Sequence, residues 1–237
     1  MNDKLKPVYL FAGGRSGNRK KQGALMERMF REFGIASPTV AYNGVASGDD
    51  RSFFRFIAGE LTQAGADKVV HAVIAPSGAD LDKARSVLED ADIVFISGGD
   101  VEAGMDILRE KKMLDYIGDL YRQGKPFFGI SAGAIMLAER WVRWRDPDDD
   151  SSAELFPCLG FAPVICDTHG EADGWDELQA ALKLAEDGTH GYGLATGAGV
   201  KVFSDGRVEA LGGEVYQYLN RQGRVERIAD ITPANRE

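Results

Sequence analysis

Pro126-Phe-Phe-Gly-Ile-Ser-Ala-Gly-Ala134 decides how this chain is read. The apolar run Phe127 to Ile130 ends in small residues, and Ala134 to Ala138 opens a helix-forming run. Between them, Gly129-Ile-Ser-Ala-Gly133 fits G-x-S-x-G, the nucleophile elbow of a strand-to-helix turn. Glycines let the backbone turn sharply, which predicts that the Ser131 hydroxyl stands clear at the carboxyl end of a strand. An ordinary βα turn that contains a serine fits the same letters. The flanking strand and helix favour the elbow.

Upstream, short apolar runs alternate with helical patterns. Strands are predicted at Val8–Ala12, Thr39–Tyr42, Val69–Ala75 (a buried strand closed by Pro76) and Ile93–Ile96. Helices are predicted at 24–33, 51–64, 80–88 and 101–121, the last broken near Lys111. In the second of these, Phe54, Ile57, Ala58 and Leu61 share one face. This alternation reads as an α/β fold, a doubly wound, mostly parallel sheet with helices on both faces. Ligands bind such sheets at the strands' carboxyl ends. Gly13-Gly14, Ser97-Gly-Gly-Asp100 and the elbow all fall there.

Downstream, Arg140 to Asp150, with Trp141, Trp144 and an acidic run, reads as a solvated loop. A strand at 160–166 delivers Asp167-Thr-His169-Gly-Glu171 at its end, followed by a helix at 175–186. Gly191 to Phe203 reads as one strand. Asp205-Gly206 signals a hairpin, and Gln222-Gly223 a second, so the C-terminus is expected to form an antiparallel edge to the sheet. No linker or repeat is evident, which predicts a single domain over 1–237.

The net charge of −9 offers no basic face for nucleic acid. No apolar run approaches a membrane span, and the N-terminal residues lack the core of a signal peptide, so a cytoplasmic monomer or homodimer is expected. Two cysteines, Cys158 and Cys166, are too few for a disulfide framework or a four-thiolate metal site and read as free thiols.

A serine needs a base to attack at neutral pH. Of three histidines, His71 lies inside an apolar strand and reads as a satisfied core residue, and His190 sits in a turn. His169, just past a strand, is where a base would meet Ser131. The amide of Ala132, after the nucleophile, is a natural oxyanion donor, and Gly98-Gly99 offers a second.

Ser97-Gly-Gly-Asp100, Gly129-Ile-Ser-Ala-Gly-Ala134 and Asp167-Thr-His169 together resemble the peptidase E and cyanophycinase family of serine peptidases, of the class I glutamine-amidotransferase-like fold. The likeness runs from about Val8 to Phe203. It implies Ser131 as nucleophile, His169 as base, the Gly99 and Ala132 amides as oxyanion hole, and hydrolysis of small peptides without metal or cofactor. Gly98, Asp100 and Arg15 are candidate substrate contacts.

Two departures stand out. The family carries an acidic partner for the histidine in a segment that reads here Gly191-Tyr-Gly-Leu-Ala-Thr196, with Ala195 and Thr196 in the acidic places. Glu171, as His-x-Glu, and Asp146, fifteen residues after Ser131, are the candidate replacements; a site without an acid is the third possibility. Relatives that bind acidic substrates carry arginines soon after the histidine. This chain has none between Arg145 and Arg207, so a basic or neutral peptide suits it better. A serine peptidase is the leading expectation. A weakly active or inactive family member that binds a small ligand, and an esterase, are the alternatives. An amidotransferase would need cysteine at the elbow.

Overall fold

The structure is a computed structural model and describes residues 5–13 and 19–234. In chain order its first half contains β1 (Val8–Phe11), α1 (Arg19–Glu32), β2 (Thr39–Asn43), α2 (Arg51–Gln63), β3 (Lys68–Ala72), α3 (Leu81–Asp90) and β4 (Ile93–Ile96). Then come α4 (Val101–Glu110), α5 (Leu114–Arg122), β5 (Phe127–Ile130) and α6 (Ala132–Leu137). Aspartates cap three of the helices. The carboxylates of Asp50, Asp80 and Asp100 accept the amides of Phe53, Lys83 and Ala103 at 2.6, 3.0 and 2.8 Å. The break expected near Lys111 is real, and Lys112 sits in it at φ +56°.

Five strands run parallel in the order β1-β5-β4-β2-β3. The chain continues with β6 (Arg140–Trp144), β7 (Ala153–Pro157), β8 (Ile165–Thr168), α7 (Asp176–Leu184), β9 (His190–Leu194), β10 (Gly199–Val202) and β11 (Val208–Leu211). It closes with β12 (Val215–Arg221) and β13 (Arg224–Arg227). β10 and β11 extend the large sheet antiparallel beyond β1.

Alternation along the strands splits the core in two. Val8 and Leu10 of β1 face one side with Leu108, Ile117, Ile135 and Leu178; Tyr9 and Phe11 face the other with Met29, Phe30 and Leu61. Central strands buried on both faces give the near-continuous apolar runs seen in β1, β4 and β5.

The mixed α/β architecture and the antiparallel edge agree with the expectation. Four details differ. Residues 140–144 are not loop: β6 pairs with β7 as a two-stranded hairpin, and the acidic run is only its turn. Gly191–Phe203 is two strands in two sheets, broken at 195–198. The Gln222-Gly223 hairpin joins β12 to β13 in a second, four-stranded sheet ordered β13-β12-β9-β8, not in the large one. β3 is an edge strand with Lys68 exposed, so it is half-buried rather than buried.

His71 of β3 is satisfied as expected. Its Nε2 lies 2.9 Å from Asp49 Oδ1, while Asp49 Oδ2 accepts the amides of Ile74 and Ala75 at 2.7 Å each. Burial would raise the Asp49 carboxyl, but His71 and these two amides outweigh it and hold it below the ordinary range.

Candidate active site

The elbow forms as the sequence implies. Ser131 joins β5 to α6 at φ +55°, ψ −126°, a conformation that side chains disfavour. Its amide donates to the Phe11 carbonyl at 2.9 Å, and its own carbonyl accepts from Ala134 at 2.8 Å. The glycines on either side are required by contact. A Cβ on Gly133 would lie 2.6 Å from the Ile96 carbonyl carbon and 2.7 Å from the Ser97 carbonyl oxygen, at the end of neighbouring β4. A Cβ on Gly129 would lie 2.5 Å from the Gly133 carbonyl carbon. The turn is thus pressed against its own helix and against the next strand.

Gly98 and Gly99 follow β4. A Cβ on Gly98 would lie 3.2 Å from Ser131 Cβ and 3.7 Å from its Oγ, so Gly98 borders Ser131 directly. Gly99 is at φ +147°, its Cα close against the backbone of Ala46 and Ser47. Ala132 is the first residue of α6, a position whose amide has no acceptor within the helix. The Asp100 carboxylate caps α4. Arg15 lies outside the described residues.

His169 comes from the second sheet. It follows β8 at φ +69°, and its amide donates to the Leu194 carbonyl of β9 at 3.3 Å. Trp175 fixes this corner. Its buried ring lies over Gly170 and Gly193, where a Cβ on either would come within 2.7 Å of it. The glycine after Tyr192 is therefore a packing requirement.

The histidine's Nδ1 faces Thr196 Oγ1 at 3.2 Å. Glu171, one of the two candidate acids, accepts the amide of Thr196 at 2.6 Å. Burial would raise the Glu171 carboxyl, but Thr196 and nearby His169 outweigh this and hold it below the ordinary range. Asp146 takes no such part. It is exposed in the β6–β7 turn, where its Oδ1 accepts the Asp148 amide at 3.1 Å and its own amide donates to Ser152 Oγ at 3.0 Å.

Thr196 was legible only as a missing acid, because its use depends on where residues 195–198 run. That link crosses from the second sheet to the first. Gly197 donates to the Gly13 carbonyl at 2.7 Å, and Ala12 donates to that of Ala198 at 3.0 Å. It thereby brings Thr196 and His169 beside the ends of β1 and β5.

Ser131 and His169 line one cavity of about 440 Å³. Its other walls come from the end of β1, from α1 and from α2.

The sequence pattern described as Peptidase family S51 matches residues 8–209 of this chain. The chain belongs to peptidase family S51. That family is described as one of peptidases. A 78-residue stretch is 31% identical to peptidase E of Haemophilus influenzae; it covers 31% of this chain and 36% of that protein's length. Two solved structures share the fold. A peptidase from an acI-B1 Actinobacterium superposes with TM-score 0.64 at 15% identity, covering 96% of this chain and 97% of that one. A candidate peptidase E from Listeria monocytogenes EGD-e gives 0.63 at 15% identity, covering 87% and 98%.

One buried carboxyl lies beside the site. Asp167, two residues before His169, is 5% exposed, and its Oδ1 accepts the Thr168 amide at 2.6 Å. Burial, with help from Glu177 and Asp173, pushes it up to about 7. Between about pH 4 and pH 7 the folded S51 chain then keeps a proton that the unfolded chain releases. Stability is expected to fall as pH rises through that window. Asp167→Asn should raise stability at pH 8 by a few kcal/mol, since one pK unit is worth about 1.4 kcal/mol, and change little at pH 4. Urea titrations at the two pH values test this; an equal effect at both would refute it.

Proposed function

We propose that this peptidase hydrolyses dipeptides or other small peptides through an acyl-enzyme on Ser131. The conformation of Ser131 carries the reading. A serine held at φ +55° between a strand and a helix, at a cavity shared with a histidine, is what acyl transfer needs. Ser131 Oγ attacks the peptide carbonyl carbon as His169 Nε2 takes its proton. The amides of Ala132 and Gly99 receive the developing oxyanion. The carbon–nitrogen bond then breaks, and His169 returns the proton to the departing amine. Water, deprotonated by His169, releases the acid and restores the serine.

Thr196 is the positioning residue for the base. With Nδ1–H donating to Thr196 Oγ1, and Thr196 held by Glu171 through its amide, the imidazole keeps Nε2 unprotonated and turned to the serine. The negative charge sits one residue further away than in a Ser-His-Asp triad, so it stabilises the imidazolium less.

The test combines labelling with turnover. A fluorophosphonate is expected to label Ser131 stoichiometrically, and the wild type to hydrolyse members of a dipeptide panel. Thr196→Val should lower kcat roughly 10- to 100-fold, less than the ~10⁴ for an aspartate exchanged in a full triad, with KM unchanged and Thr196→Ser restoring the rate. No labelling and no turnover would overturn the peptide-hydrolysing role of Ser131.

A further inference from the structure

We infer that the cavity beside Ser131 is the pocket for the acyl residue, and that it takes an N-terminal residue with an aromatic or large aliphatic side chain. The inference deepens the peptidase reading and rests on it for the direction of the substrate.

α2 supplies the outer wall. Its core face is the one the sequence predicts, with Leu61 buried. A second stripe, Phe53, Phe56, Ile57 and Glu60, follows the same i, i+3, i+4, i+7 spacing and lines the cavity. Met26 of α1 and Ile130 of β5 add further apolar wall, both under 9% exposed. Phe56 is 46% exposed, a large apolar side chain kept at the mouth of a catalytic cleft. With Phe53 and Ile57 it lines one cavity, an apolar grouping rather than a single scattered side chain. The volume lies within the ~300–1,000 Å³ of small-ligand sites, enough for one aromatic residue and its neighbour.

Charge sharpens the choice. Among the described lining residues there is no arginine or lysine, and the one carboxylate is Glu60. An aspartyl side chain would meet the apolar wall of Phe53, Phe56, Ile57 and Met26 and the like charge of Glu60. A residue carrying both an apolar side chain and a free α-ammonium matches both features. In a dipeptide only the acyl residue has that combination. The side chain lies along Phe53, Phe56 and Ile57, and the ammonium meets Glu60.

Calorimetry on the Ser131→Ala protein reads binding without turnover, using Phe-Ala, Leu-Ala, Lys-Ala, Asp-Ala and N-acetyl-Phe-Ala. Phe-Ala and Leu-Ala are expected to bind at least about tenfold more tightly than Asp-Ala, the scale that apolar pockets reach. Adding Phe56→Ala, at a half-exposed position, should weaken Phe-Ala about tenfold and leave Asp-Ala unchanged. Adding Glu60→Gln should weaken Phe-Ala and leave the acetylated peptide unchanged. Tightest binding by Asp-Ala or Lys-Ala, or no binding by Phe-Ala and Leu-Ala, would overturn the assignment. Hydrolysis by the wild type separates the two readings. Turnover with an Asp-Ala preference leaves the peptidase and removes the pocket. The expected binding order without turnover leaves the pocket and removes the peptidase.

Discussion

Ser131→Gly is expected to abolish hydrolysis and, at the same time, make the protein more stable. Loss of the hydroxyl removes the nucleophile, which in a complete triad is worth about 10⁶ in kcat. The backbone at φ +55°, ψ −126° costs a side-chain-bearing residue of order 1–3 kcal/mol. Glycine escapes that cost but loses about 0.5–1 kcal/mol in unfolded-state entropy. The net gain should be about 1 kcal/mol. Ser131→Ala gives the control, because alanine keeps the backbone penalty: activity should vanish with no gain in stability. Denaturant midpoints of the three proteins, measured with fluorophosphonate labelling, decide the matter. A glycine variant less stable than wild type would mean that the elbow is unstrained, and residual turnover would place the nucleophile elsewhere.

Gly133→Ala should be among the most damaging single methyl groups that can be added at the described glycines. Its Cβ would meet the backbone of Ile96 and Ser97, not a side chain that can swing away. That backbone is held in turn, since Ser97 donates to the Asn43 carbonyl at 3.0 Å. Relief would require separating α6 from β4, which opens the core around Ala134 and Met136. A loss of about 4 kcal/mol or more is expected, in the range reserved for severe core damage. Gly59→Ala makes the contrast. Gly59 lies inside α2 with nothing within 4 Å of a built Cβ, so alanine there should add about 0.5–1 kcal/mol. Thermal unfolding of both variants tests the pair; similar midpoints would disprove the collision.

Much of this was readable from the residues because the parallel strands are short apolar runs set off by glycine, proline and aspartate. The elbow was legible for the same reason, since Gly129 and Gly133 serve the turn and the packing at once. What escaped has physical causes. Arg140-Trp-Val-Arg-Trp144 alternates as a strand should, but the acidic run after it dominates the composition and suggests a loop. The break at 195–198 lies inside a glycine-rich apolar stretch that carries no proline or Asn-Gly to mark it. The cavity stripe on α2 overlaps the core stripe at Ile57, so Phe53 and Phe56 pass for scattered surface residues. Thr196 reads as a deficit because the family pattern asks for an acid there, and only the fold shows that its hydroxyl reaches the imidazole.

The crossing at residues 195–198 has a consequence for how the protein can change. Ser131 belongs to one sheet and His169 to the other, and this four-residue stretch is stitched to Gly13 on one side and to Glu171 and His169 on the other. It acts as a gauge block between two separately built parts. The exposed β6–β7 turn takes no part in that spacing. The gauge block sets it, because each added residue would reset the distance between Ser131 and His169 while leaving both cores intact. Descendants of this chain can vary widely in outline, but their length there should stay fixed for as long as they remain enzymes.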